Sequence, residues 1–101
     1  MAADEPANGI HVLVSGRVQG VGFRYLVKRS AETAEVAGWV RNLRDGRVEA
    51  VLLGPPEAVQ AVLDDIGRGP SGAGVEEVIT RPALAEECRT ARRPLEVLRT
   101  A

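Results

Sequence analysis

The sequence predicts an α+β fold: a ferredoxin-like α/β sandwich of βαββαβ order, extended by a short C-terminal strand. Three observations lead to it. Apolar residues switch along the chain between a period of two and a period of 3.6. The two helix-period stripes fall between strand-like runs, and the central pair of runs is joined by Asp45-Gly46. Two split βαβ units of this kind close into one antiparallel sheet with both helices on one face.

Taken in order, residues 1–9 (MAADEPANG) are small and polar and read as a flexible N-terminal tail. Residues 10–101 read as one domain. From His11 to Val18 the chain alternates, with Val12, Val14, Gly16 and Val18 on one face and His11, Leu13, Ser15 and Arg17 on the other, which is a strand pattern. The short loop Gln19-Gly20-Val21-Gly22 follows. Phe23, Leu26, Val27, Ser30, Ala31 and Ala34 then fall at helical spacing and form one apolar or small stripe.

Residues 37–43 predict a second strand, with Gly38, Val40 and Asn42 on one face and Trp39 and Arg41 on the other. Asp45-Gly46 is a hairpin signal, because glycine takes the positive φ that the turn needs. Residues 47–53 predict the third strand. Gly54-Pro55-Pro56 ends it and starts a helix, proline being favoured in a first helical turn; Val59, Val62, Leu63 and Ile66 supply its apolar stripe. The stretch 67–74 (GRGPSGAG) excludes regular structure. Residues 75–81 predict a fourth strand, and 95–99 a short terminal one. Between them, 82–93 fits a helical turn or an irregular connection equally well.

Composition narrows the function classes. At 101 residues the chain is one domain's length, and 45% hydrophobic content is a globular value. Phe23, Tyr25 and Trp39 are the only aromatics, so the core must come from Val, Leu, Ile and Ala. The formal net charge of -1 argues against general nucleic-acid binding, which needs a basic surface. A single cysteine, Cys88, excludes an intrachain disulfide. The first nine residues lack the charged and apolar regions of a secretory signal. No apolar run approaches the ~20 residues of a membrane helix. The expectation is a cytoplasmic monomer without membrane or nucleic-acid partners.

The chemistry-bearing candidates cluster around the loop. Glycines let a backbone approach a ligand closely. Successive N–H groups in a turn that leads into a helix make a concave anion site, reinforced by the helix dipole. Gln19, Gly20, Val21, Gly22 and Phe23 thus offer a row of main-chain donors to a phosphate. The glycines alone fit a tight strand-to-helix turn just as well. Arg24 stands beside these donors in the first helical turn, and its planar fork suits two phosphate oxygens. The amide of Asn42 both donates and accepts, so it can orient a water although it cannot act as a base.

Other residues carry less. His11 is the only histidine, which excludes a histidine-rich metal site. Cys88 lies in Glu87-Cys88-Arg89, without the phosphate loop that a catalytic thiol would need after it. Asp64-Asp65 and Glu76-Glu77 are adjacent pairs that point to different faces and read as solvated charge. Trp39 reads as a core or sheet-face filler. Ser15 and Gly16 are placed below the loop, and Gln19 is expected to use its backbone N–H rather than its side chain.

Residues 16–24 (GRVQGVGFR) resemble the signature of the acylphosphatase family. Gly38-Trp39-Val40-Arg41-Asn42-Leu43, with Asp45-Gly46 and Val48-Glu49-Ala50, resembles that family's second signature. The similarity covers roughly residues 10–80. In place of the aromatic that the family often has in its final strand, this chain has Pro94-Leu95-Glu96-Val97-Leu98. The resemblance implies hydrolysis of the carboxyl–phosphate bond of a small acyl phosphate, with Arg24 and Asn42 as catalytic residues and the Gln19–Phe23 amides on the phosphate. It implies a water held by Asn42 that attacks phosphorus, with no cofactor, no metal and no covalent enzyme intermediate.

Two rivals share the fold. An amino-acid-sensing or RNA-binding module has no reason to carry both Arg24 and Asn42 in these contexts. An RNA-binding sheet would also need aromatics in its central strands, and 11–18 and 47–53 have none. Acylphosphatase-like domains also stand at the front of larger carbamoyl-transfer proteins; 101 residues leave no room for such a partner unless the chain is an excised fragment.

Overall fold

In the computed structural model the described residues are 8–101. The predicted tail lies outside them except for Asn8 and Gly9, which already pair with Gly54 and Leu53. The elements are β1 (Asn8–Arg17), α1 (Phe23–Ala34), β2 (Ala37–Asn42), β3 (Val48–Gly54), α2 (Pro56–Arg68), β4 (Gly74–Pro82), α3 (Ala85–Arg89) and β5 (Glu96–Val97). The sheet order is β4-β1-β3-β2-β5. α1 and α2 cover one face of it, giving the ferredoxin-like sandwich that the sequence predicts.

One part of the predicted topology changes. The sheet is mixed rather than wholly antiparallel, because β5 runs parallel to β2. The chain reaches β2 at its start, where Arg92 and Gly38 exchange backbone hydrogen bonds, and then runs in the same direction as β2. Glu96 pairs with Trp39 and Val97 with Val40. Beyond β5 the N–H of Leu98 donates to the Val40 carbonyl and that of Ala101 to the Asn42 carbonyl.

The core lies between the sheet and the two long helices. Val12, Val14, Val40, Val48, Ala50 and Leu52 supply the sheet side. Phe23, Val27 and Ala31 of α1 and Val59, Val62 and Ile66 of α2 supply the other. Small aliphatic residues fill it, as the scarcity of aromatics requires. Leu95, in the segment that replaces the family's aromatic, is fully buried there.

The second sheet face is less open than two helices on one side would suggest. The undecided stretch 82–93 holds the single helical turn of α3. It starts where the Glu87 carboxylate accepts from the Leu84 N–H and ion-pairs with Arg81. Trp39 is buried on this face; its Nε1 donates to Thr90 Oγ1 at 3.0 Å, and the Arg41 guanidinium stacks on its ring. No helix among the described residues is long and apolar enough to cross a membrane.

Candidate active site

The register of the sheet brings the two sequence motifs together. Val14 pairs with Val48, and Val48 pairs with Asn42. These three residues form one row across β1, β3 and β2 on the helix-bearing face. Three residues past Val14 the strand ends at Arg17, after a bulge between Ser15 and Gly16 where its pairing with β4 shifts. The chain turns through residues 18–22 and enters α1 at Phe23. Because α1 packs back over β2, the loop and the first helical turn sit beside Asn42.

Gly20 and Gly22 make that turn possible. Their φ angles are 76° and 84°, in the left-handed region that residues with a Cβ avoid. Nothing lies within 4 Å of where a Cβ would stand at either position, so the backbone faces open space. Gly22 caps α1 without a side-chain hydrogen bond, and the first turn holds no acidic residue. Among the described residues, no backbone or side-chain acceptor takes the N–H groups of Gln19–Phe23. A run of free donors at a helix start is a concave, positively polarised surface.

Val18, Gly20, Gly22, Phe23, Arg24 and Asn42 line one cavity of about 340 Å³. Arg24 and Asn42 are both half-buried. Among the described residues, no carboxylate pairs with the Arg24 guanidinium. The structure thus brings the predicted arginine, the predicted asparagine and the glycine loop to a single concavity. Tyr25 and Val97 also line it, and sequence reasoning missed both. Val97 arrives only through the parallel pairing of β5, which no local pattern signals.

Gln19 has a structural task beside its free N–H. Its side chain is not idle: Nε2 donates to the Leu43 carbonyl at 2.7 Å and to the Arg47 carbonyl at 2.9 Å. The amide thereby ties the loop to the β2–β3 hairpin. That hairpin closes on the three residues Arg44, Asp45 and Gly46 that the predicted strand bounds leave between them. The Gly46 N–H donates to Leu43, the Leu43 N–H donates to Arg47, and Gly46 has a φ of 100°.

The remaining polar candidates lie elsewhere. His11 is buried on the opposite sheet face with Nε2 2.7 Å from Glu49 Oε2, and Arg41 Nε donates to Glu49 Oε1 at 2.7 Å. Burial pushes the Glu49 carboxyl up, but the hydrogen bonds from His11 and Arg41 outweigh it and hold the group below the usual carboxylate range. Cys88 lies on α3, half-buried, and does not line the cavity. Asp65 is not simply solvated charge: it accepts from Ser30 Oγ at 2.6 Å and pairs with Arg68. Among the described residues, no three His, Cys, Asp or Glu side chains gather as a metal-ligand set.

Comparison with known proteins places the same residues in a family. A family model described as acylphosphatase matches residues 10–90. The chain is 53% identical over 76 residues to an acylphosphatase of Gloeobacter violaceus, spanning 75% of this chain and 82% of that relative. The crystal structure of acylphosphatase from Bacillus subtilis superposes with a TM-score of 0.79 at 33% identity, covering 90% of this chain and 98% of that one. An acylphosphatase from Coxiella burnetii superposes with a TM-score of 0.81 at 34% identity, covering 94% and 96%.

Proposed function

The chain belongs to the acylphosphatase family, and from that premise we propose how its residues divide the work of acyl phosphate hydrolysis. Membership itself makes it a hydrolase of acyl phosphates. One observation carries the finer reading: Gly20, Gly22 and Phe23, whose N–H groups meet no acceptor among the described residues, line the cavity that also holds Arg24 and Asn42.

The phosphoryl group docks against the loop amides, where fixed dipoles and the start of α1 favour negative charge. Arg24 grips two of its oxygens as a planar fork. Both sets of donors are in place before the reaction. They stabilise the charge that spreads over the equatorial oxygens as the bond to the leaving carboxylate lengthens.

Asn42 holds the attacking water. Its amide oxygen accepts a hydrogen bond from that water, leaving a lone pair directed at phosphorus. The P–O bond from water forms as the P–O bond to the carboxylate breaks. The water's proton passes to a phosphate oxygen of the substrate, so no side-chain base is required. A carboxylate leaves readily without protonation. The guanidinium and the amides supply the positive charge that a metal ion would otherwise bring, and no enzyme nucleophile intervenes.

Hydrolysis of benzoyl phosphate in ¹⁸O-water with EDTA present tests this division. The expected result is undiminished turnover with the label in inorganic phosphate. Label in the carboxylate, or activity abolished by the chelator and restored by a metal, would overturn it.

A further inference from the structure

A second cavity adjoins the first. It is a groove of about 600 Å³ between α1 and α2, and Gly22 and Tyr25 line both. We propose that this groove is the subsite for the acyl group, and that it selects substrates with an apolar acyl chain over acetyl phosphate. The inference rests on the reading of the phosphate site given above.

Direction is the first reason. In-line displacement sends the leaving group away from the attacking water. Asn42 stands on β2, to one side of the loop. The groove lies on the side of α1 that faces α2, away from β2. Gly22 and Tyr25, which line both cavities, mark the passage from one to the other. The acetyl group is too short to extend beyond the phosphate cavity, whereas a longer acyl chain must lie somewhere past Gly22.

Chemistry is the second reason. Val21, Leu26, Ala34 and Ala61 give the groove apolar walls. Its two central polar groups already satisfy each other, because Ser30 Oγ donates to Asp65 Oδ2 at 2.6 Å. The remaining polar lining residues, Arg29 and Thr33, are exposed to solvent. At the junction, Tyr25 is 63% exposed, an unusual setting for a large ring, and the Arg29 guanidinium lies 5.7 Å from its centroid. The ring and the aliphatic stem of Arg29 form a rim over which a chain can lie.

Steady-state kinetics on acetyl phosphate and octanoyl phosphate test the proposal. Wild-type protein is compared with Ala61→Trp and Thr33→Trp, which fill the groove from opposite helices at exposed positions. Wild type should show a KM for octanoyl phosphate at least ~10-fold below that for acetyl phosphate, as expected from burying a few methylenes. Each tryptophan variant should lose most of that difference while its constants for acetyl phosphate stay within about twofold of wild type. Two helix-surface variants guard against one that fails to fold. Equal KM values for the two substrates in wild type, or a preference that survives both tryptophans, would overturn the groove proposal alone. If acetyl phosphate were not hydrolysed at all, the site reading beneath it would fall. Competition between octylphosphonate and methylphosphonate for binding would then still report on the groove.

Discussion

Gln19 Nε2 donates to the Leu43 carbonyl at 2.7 Å, so one side chain joins the glycine loop to the residue that follows Asn42. The same nitrogen also reaches the Arg47 carbonyl at 2.9 Å. The two halves of the site come from segments far apart in sequence, and this amide fixes their spacing. Gln19→Ala should therefore lower kcat/KM by ~10-fold or more, since small misplacements of reacting groups are costly. Loss of two partly buried hydrogen bonds should cost about 1–2 kcal/mol of stability. Kinetics combined with urea unfolding would separate the two effects; unchanged kcat/KM would show that the tie does not matter for catalysis.

Arg24→Lys should not rescue Arg24→Ala. A lysine keeps the charge but loses the planar fork that takes two phosphate oxygens. Both variants should weaken competitive inhibition by inorganic phosphate, with alanine the worse of the two. Equal inhibition of wild type and Arg24→Lys would reduce the guanidinium's role to that of a point charge.

Gly22→Ala should harm the site more than the fold. Gly22 has open space where a methyl group would stand, so the cost is the left-handed backbone, about 1–2 kcal/mol. Relief of that strain would turn the neighbouring amides out of line, and phosphate affinity should fall. Thermal unfolding and phosphate titration of the same variant would check both halves.

The fold responds to acid through α3. The Arg81 guanidinium, helped by the Leu84 N–H, holds the Glu87 carboxyl down at about 2, against an ordinary value of 4.5. A depressed carboxylate adds stability that is complete above its unfolded pKa and is lost as the pH falls toward the folded one. Stability should thus decline between about pH 4.5 and 2. Glu87→Gln should be less stable than wild type at neutral pH and show a shallower decline. Urea midpoints across that range would decide; parallel curves for the two proteins would rule out this pair as a source.

Much of this architecture is legible in local patterns. The alternation of Val12, Val14 and Val18, and the stripe of Phe23, Val27 and Ala31, become buried faces as their periods predict. The two motifs name Arg24 and Asn42, and the structure puts both in one cavity. Harder to read are features set by tertiary geometry alone. The parallel pairing of β5 depends on where Arg92 meets Gly38, not on anything within residues 95–99. Val97 reaches the cavity only because of that pairing. The Gln19 tie depends on two carbonyl groups, and carbonyls leave no mark in a sequence. For α3, a five-residue turn gives too few positions for a period to register.

The central claim is that main-chain donors hold the phosphoryl group beside Arg24 and Asn42. Titration of ¹⁵N-labelled protein with inorganic phosphate, followed by amide chemical shifts, tests it most directly. Saturable shifts should concentrate on the Gln19–Phe23 N–H groups and weaken strongly in Arg24→Ala. Shifts centred elsewhere on the molecule, with the Gln19–Phe23 amides unmoved at saturation, would contradict it.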